Sequence, residues 1–422
     1  MSRFRRSVAE HAAVVADLLR EVPVPTGELP LADALGRVLA ADVVAPIPLP
    51  VFDNSQMDGY AVRAADLTGA PLPVARPVAA GAAGAPLAPG TCAPIMTGAP
   101  VPAGADTIVP IEAAVPAAFP PFVTDRARPH DDGARVTLPG AADVTSGQFV
   151  RRAGSDLPAG AVALRAGDRV GPRHAGLAAA LGLTHLPVLT APTALLIATG
   201  DEVVAPGGEL GPGQIFDANT TLLAASLAEA GWASETLTVD TDEPEDFAAA
   251  LRAAVVRCAP ALVLTSGGIS AGAYEVVKLA LGAGEHNVEF GSVAMQPGGP
   301  QGAGVLDVGD RAIPLLAFPG NPVSTFVSFE MFLRPVLAER FGARARTHTT
   351  ARLTAATDSP AGRLQVRRAR LGADGAVELI GGPGSHLLGP LAEANALALI
   401  DPETTRAEPG ARLRTILIGE IQ

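Results

Sequence analysis

The chain has 422 residues, more than one hydrophobic core normally serves, so about two to four domains are expected. Hydrophobic residues make up 48% and charged residues 18%, a globular composition that excludes a disordered chain. The net charge of −12 argues against a nucleic-acid partner, which demands basic patches, yet leaves room for a small anion in a locally positive pocket.

The 46 Gly and 39 Pro predict many turns and short elements. Lys278 is the one lysine among 31 basic residues, a bias of composition rather than a binding signal. Cys92 and Cys258 form neither a disulfide framework nor a metal spacing, as expected in a reducing, cytoplasmic setting. Arg3, Arg5 and Arg6 are followed by Glu10, His11 and Asp17, which interrupt the apolar stretch that a secretion signal needs. No run of about 18 apolar residues predicts a membrane span.

From the N-terminus, residues 7–21 read as an amphipathic helix, with Ser7 and Glu10 at capping-box spacing and Val8, Val14, Val15, Leu18 and Leu19 as its apolar face. A second helix is expected over 31–39, and Pro46, Pro48 and Pro50 then break any regular element. Residues 51–149 alternate short apolar runs with Gly and Pro, which predicts a small β domain, with 116–143 as a long exposed hairpin or loop. Residues 187–340 change character. Strands are expected at 193–198, 234–239, 261–264, near Val305 and at 313–318. Helices are expected at 219–230, 245–257, after Gly272 and from Asn321-Pro322. That alternation predicts a parallel sheet covered on both faces. The C-terminal stretch returns to short strands, a separate small β domain.

Three strands of the α/β region end in glycine-containing turns: Ala198-Thr199-Gly200-Asp201-Glu202, Thr265-Ser266-Gly267-Gly268-Ile269-Ser270-Ala271-Gly272 and Phe318-Pro319-Gly320-Asn321-Pro322-Val323-Ser324. In open α/β sheets ligands sit beyond the carboxyl ends of strands, helix N-termini there offer free N–H groups to anions, and glycine lets the backbone approach a phosphate. Any one such turn is most simply an ordinary connection. Three together point to a phosphate or oxyanion site. Asn321 reads as an N-cap with Pro322 at the first helical position. Asp58, Asp201, Asp217 and Asp242 lie near such turns, where Mg²⁺ bridges carboxylates to phosphate, although Asp217 reads first as the cap of the next helix. Lys278 follows Ser270 by about two helical turns, and its compact ammonium suits an oxyanion as well as solvent. His130-Asp131-Asp132-Gly133 reads as a solvated turn, and His174, His185 and His386 share no ligand spacing.

These motifs resemble the molybdopterin molybdenumtransferase family, which includes bacterial MoeA and the C-terminal domain of gephyrin. The most specific matches are Asp53-Asn54-Ser55-Gln56-Met57-Asp58-Gly59-Tyr60-Ala61-Val62-Arg63, Ile95-Met96-Thr97-Gly98-Ala99-Pro100, Ala103-Gly104-Ala105-Asp106 and the three glycine turns, in order along nearly the whole chain. The resemblance implies a three-layer α/β/α molybdopterin-binding domain at 187–334, a β-rich domain at 49–149, a C-terminal β-rich domain at 335–422, and an elongated dimerisation domain from 1–48 with 150–186 that holds the N-terminal helical segment. It further implies a cytoplasmic homodimer whose active site is shared between protomers. Its substrates are adenylylated molybdopterin and molybdate, AMP is released with Mg²⁺, and the molybdopterin adenylyltransferase is a possible partner.

Carried over by position, Asp58, Asp201, Asp242 and Lys278 take catalytic roles, and Asp58, Asp201 and Asp242 hold the metal, with Asp240 an alternative to Asp242. Thr97, Gly200, Ser266, Gly267, Gly268, Ser270, Pro319, Gly320, Asn321 and Ser324 line the cofactor, and Arg368 and Ser385 match positions linked to molybdate. Two departures stand out. Gln296-Pro297-Gly298-Gly299-Pro300 replaces the family's Lys-Pro-Gly-Lys-Pro, and Ser155 stands where the family has Glu. Each lost charged hydrogen bond weakens anion binding by about 1–3 kcal/mol unless Arg151, Arg152 or Lys278 compensates. A non-catalytic paralogue that binds molybdopterin or molybdate, or a scaffold protein, is the alternative. A different nucleotide-hydrolysing enzyme on the same α/β domain is a third reading.

Overall fold

Ser7 opens the first helix as its spacing requires. Its hydroxyl accepts from the Glu10 N–H at 3.2 Å, and the Glu10 carboxylate accepts from the Ser7 N–H at 2.7 Å, so the helix Val8–Leu19 starts with a complete capping box. The structure, a computed structural model, describes residues 3–79, 81, 84–125, 128–200, 202–239, 243–268 and 287–421. They fall into two compact units, one of residues 1–27 with 189–422 and one of residues 28–188. Among the described residues no helix is long and apolar enough to cross a membrane.

The first unit is built on a seven-stranded sheet. Its strands run, edge to edge, Arg3–Arg6, Asn287–Val293, Pro300–Val308, Arg311–Phe318, Leu262–Ser266, Thr193–Thr199 and Ala233–Val239. The last four are mutually parallel, as expected. The sheet as a whole is mixed, which corrects the all-parallel expectation. Val308 pairs with Arg311 across Gly309 and Asp310, with Gly309 at φ 63°, and a two-residue turn can only return the chain antiparallel. Asn287–Val293 is antiparallel to Pro300–Val308 in turn. The arginines at the N-terminus form the edge strand itself, parallel to Asn287–Val293, a role that their charge concealed.

Alternate strand residues face opposite sides, and both sides are apolar. Leu196, Leu264 and Leu316 meet Val15 and Leu19 of the first helix and Leu223 and Leu227 of the helix Ala218–Glu229. Leu195, Ile197, Val263 and Leu315 meet Phe247 and Leu251 of the helix Pro244–Cys258. Each such leucine stabilises the layer by about 1.5–3 kcal/mol. The result is the expected three-layer α/β/α arrangement. The C-terminal strands close on themselves: His348–Leu353, Arg412–Leu417, Ala396–Ile400, Leu364–Leu371 and Ala376–Leu379 pair in that order, and the last pairs back to the first. Five strands leave a narrow interior, filled by Ala351, Ala369, Ala396, Ala398, Leu353, Leu371 and Val377.

In the unit of residues 28–188, Gly59–Val62 is the centre of a three-stranded sheet between Cys92–Ile95 and Thr107–Pro110. The second helix is only Leu31–Ala34, because Leu35 turns extended and Gly36 takes φ 77°. Residues 116–143 are not a simple exposed loop. They contain the short helix Pro121–Thr124 and the strand Arg135–Thr137, and they bury Phe122, Val136 and Leu138, whose apolar area outweighs the polar composition around them.

A buried ion network ties the helical run of 322–340 to the rest of the first unit. A π turn, Phe329–Leu333, interrupts that run and aims Glu330 inward. Glu330 accepts from Arg334 at 3.0 Å and from Arg346 at 2.9 Å, and Glu229 accepts from the same two arginines at 2.6 and 2.7 Å. Burial opposes the Arg346 charge, but the two carboxylates outweigh it and hold its proton more tightly than usual. Glu330→Ala removes the fully buried carboxylate and leaves both guanidinium groups only the half-exposed Glu229, so we expect a loss of about 3 kcal/mol in denaturant unfolding, the low end for a broken buried pair. A loss below about 1 kcal/mol would show that the network relaxes into water.

Candidate functional site

The strands Thr193–Thr199, Leu262–Ser266 and Arg311–Phe318 are parallel neighbours, so Gly200, Gly267 and Gly320 follow them on the same edge of the sheet. Two of them touch through their backbones. The Gly267 N–H donates to the Phe318 carbonyl at 3.1 Å, and a Cβ on Gly320 would lie 3.3 Å from the Gly267 Cα. Gly267 and Gly268 hold φ of 91° and 66°, and Gly200 holds 124°, conformations that side chains rarely adopt. Asn219 donates to the Gly320 carbonyl at 2.6 Å, and the Thr325 hydroxyl donates to the Pro319 carbonyl at 2.6 Å. The 319–321 turn is therefore fixed from two helices. Asp217 caps the helix that carries Asn219, accepting from the Thr220 N–H at 3.0 Å, so its role is structural. Asn321 stands at the N-cap and Pro322 follows as expected, but the Asn321 side chain makes no capping hydrogen bond. Ser266 and Ser324 are both buried.

The barrel brings further groups to the same helix start. The Val323 N–H donates to the Ser385 carbonyl at 3.3 Å. Arg368 is buried and donates to the Gly384 carbonyl at 2.9 Å and to the Gly382 carbonyl. Its neighbour Arg367, which the sequence reading passed over, donates to the Gly381 carbonyl at 2.9 Å and to the Thr357 hydroxyl at 3.1 Å. Strand alternation suggests that only one of two adjacent arginines can serve a site, but the 381–384 loop wraps so that both reach it. Neither pairs with a carboxylate among the described residues. Burial lowers the pKa of both, and the Arg367 charge lowers that of Arg368 further. This is an electropositive corner that an anion would relieve.

The departing segment lies beside it. Gln296 accepts from the Gln365 amide at 3.3 Å, Gln296–Pro297 is cis, and Gly298 takes φ 94°. Met295–Gln296 pairs with the barrel strand that carries Arg368.

In the unit of residues 28–188, the segment 52–62 folds onto the loop around Thr97. The Ser55 N–H donates to the Ala99 carbonyl at 3.0 Å, and the Gly98 N–H donates to the Ser55 carbonyl at 2.8 Å. A Cβ on Gly59 would fall 2.1 Å from the Val109 carbonyl oxygen, so only glycine fits. The Asp58 Oδ1 accepts from both the Thr97 N–H and the Thr97 hydroxyl, each at 2.7 Å. The backbone bond first, then the hydroxyl, holds the Asp58 carboxyl below its usual 3.8. Its Oδ2 accepts no hydrogen bond from the described residues and is a ready ligand for a hard cation. Arg152 is engaged by Asp53 at 2.6 Å, so it is not a spare cation for an anion. Asp131 accepts from the Gly133 N–H at 2.9 Å, the expected turn. Asp201, Asp242 with its alternative Asp240, Ser270 and Lys278 lie outside the described residues. Among the described residues no three metal-ligating side chains cluster.

Comparison with known proteins places the whole chain in one family. The family models described as MoeA N-terminal region (domain I and II), probable molybdopterin binding domain, and MoeA C-terminal region (domain IV) match residues 6–182, 195–339 and 350–418. The chain is 45% identical to molybdopterin molybdenumtransferase 2 of Mycobacterium tuberculosis, covering 97% of this chain and 98% of that one. It is 32% identical to molybdopterin molybdenumtransferase 1 of the same organism, covering 94% and 95%. The crystal structure of a molybdopterin biosynthesis MoeA protein from Pyrococcus horikoshii superposes with a TM-score of 0.80 at 26% identity, covering 99% of this chain and all of that one.

Asp58 supplies a direct test of the local electrostatics. A depressed carboxyl pKa adds stability that is present above the ordinary value and is lost as pH falls through the depressed one. Thr97→Val removes the hydroxyl bond and keeps the backbone bond. We expect the Asp58 carboxyl, followed by NMR, to titrate higher than in the wild type but still below 3.8. An unchanged titration would mean that the hydroxyl contributes nothing.

Proposed function

The chain belongs to the molybdopterin molybdenumtransferase family, and on that premise we propose that it converts adenylylated molybdopterin and molybdate, releasing AMP in a Mg²⁺-dependent step. Its relatives establish it as a transferase of molybdenum cofactor biosynthesis. The finer chemistry rests on one observation: two glycine turns in backbone contact, with the Arg367–Arg368 corner on the same helix start and no carboxylate paired to it among the described residues.

Splitting a phosphoanhydride is mainly positioning and charge stabilisation. The 267–268 and 319–321 turns let a phosphate approach the backbone closely, and the fixed N–H groups cost no reorganisation. Arg368 and Arg367 keep the 381–385 loop in place and supply positive potential for molybdate. The protein needs no cysteine, because the dithiolene belongs to the substrate. Asp58 fits a hard cation through its ionised, unshared Oδ2, and by position Asp201 and Asp242 would join it. Mg²⁺ there would neutralise phosphate charge.

We further propose a homodimer in which Asp58 and Thr97 of one protomer complete the site of the other. The second reading, a binding paralogue without turnover, is favoured by Gln296 and Gly299 at the two lysine positions. AMP release from adenylylated molybdopterin, with molybdate and Mg²⁺, separates the two readings. Release that stops on chelation supports the enzyme, and ligand binding without release supports the paralogue. Asp58→Asn and Arg368→Ala are each expected to lose activity by at least about a hundredfold, as loss of a charged contact in a closed site implies. Mixed and reassembled, they should regain activity, because a hybrid dimer holds one intact site. No recovery in a confirmed hybrid would rule out the shared site.

A further inference from the structure

A buried polar chain runs beneath this site with no part in the chemistry above. His11 and Gln301 are each 1% exposed, and Ser328 is fully buried. Gln301 Nε2 donates to the Gly298 carbonyl at 2.8 Å and to the Ser328 hydroxyl at 2.7 Å, and that hydroxyl donates to the Ser324 carbonyl at 2.8 Å. A carbonyl only accepts, so Gly298 fixes the orientation of the amide and leaves Oε1 turned away from it. His11 packs between Phe4, stacked at 5.7 Å, and Phe332, edge-on at 4.7 Å. Neither ring nitrogen nor Gln301 Oε1 completes a hydrogen bond. Burial and the Arg6 charge push the imidazole down to about 4, against a pull from the Gln301 amide, so His11 is neutral at physiological pH.

Polar groups in an apolar layer are costly, and their retention asks for a reason. Gly298 offers one. A Cβ there would lie 2.7 Å from the Met295 Cε, 3.2 Å from the Ser328 Oγ and 3.7 Å from the Ser324 carbonyl oxygen, so the turn rests directly on the helix Pro322–Ser328. The preceding Met295–Gln296 pairs with the strand that carries Arg367 and Arg368, and the following Pro300–Val308 belongs to the main sheet. The turn at 297–299 thus joins three parts: the sheet, the helix with Ser324, and the arginine strand.

We propose that Gln301 is a positioning residue that locks the 297–299 turn to Ser328 and so sets the Arg368 strand against the helix start at Ser324, with His11 backing its amide. This inference rests on the molybdate-using reading above. A neutral, buried clamp here fixes the geometry of an oxyanion pocket in a segment where two family lysines are absent.

Gln301→Met keeps the length and apolar bulk of the side chain but removes both donated bonds. Molybdate affinity, measured by calorimetry, is expected to fall about tenfold, while turnover at saturating molybdate stays within about twofold, as the loss of two buried neutral bonds implies. Hydrogen exchange should accelerate in 298–301 and 322–328 and nowhere else. A purely structural role would lower the melting temperature without this split between affinity and turnover. Should Gln301→Met not fold, Ser328→Ala removes one bond with little change of volume, and about a threefold loss of affinity is expected. Unchanged molybdate affinity in the folded variant overturns the clamp. A wild type that binds molybdate but releases no AMP overturns the turnover reading alone, and the affinity comparison still decides the role of Gln301.

Discussion

The contact between the Gly267 and Gly320 backbones is the constraint around which the first unit is arranged. Two turns can meet at that distance only if their strands are adjacent, parallel and in register, and Val263–Ser266 against Leu315–Phe318 provides that register. The register in turn depends on side chains fitted to both faces of the sheet, since a slip by one residue would send each to the opposite face, against the wrong helices. Packing far from the site therefore fixes the separation of groups within it. The side-chain bonds from Asn219 and Thr325 finish what the sheet begins, because they remove the remaining freedom of the 319–321 turn.

Charge is handled differently in two regions of the same unit. Around Glu330 every buried cation has a carboxylate, and the network is neutral and mechanical. Around Arg367 and Arg368 only carbonyls and the Thr357 hydroxyl take the guanidinium protons, and both Nε atoms are without a partner among the described residues. Arginine can be kept buried in this way because it scarcely deprotonates, whereas a lysine would shed its charge. An anion would complete the second arrangement and would only disturb the first.

Much of this was legible in the sequence because local physics decided it. The Ser7–Glu10 box, the Asp217 cap, the helix start at Asn321-Pro322 and the left-handed glycines at 200, 267 and 268 follow from short-range rules, and the structure has each in place, although the Asn321 side chain makes no capping bond. The resemblance to a family rested on motif order and foretold the three-layer fold. What stayed hidden depended on distant partners. The strand at Arg3–Arg6 is invisible without Asn287–Val293, the burial of Phe122 and Val136 without the rest of their core, and the reach of Arg367 without the loop that wraps round it. The hairpin at Gly309-Asp310 was readable in principle, since a glycine turn between two apolar runs carries the signal.

The edge strand Arg3–Arg6 has a consequence for biosynthesis. Its partner, Asn287–Val293, lies more than two thirds of the way along the chain, so this strand is made long before it can find its place. Until then the apolar face of Val8–Leu19, which belongs against the same sheet, is uncovered. A nascent chain of this design carries an exposed amphipathic helix through most of its synthesis, the kind of surface on which chaperones act, and the arginines ahead of it give that waiting segment its solubility.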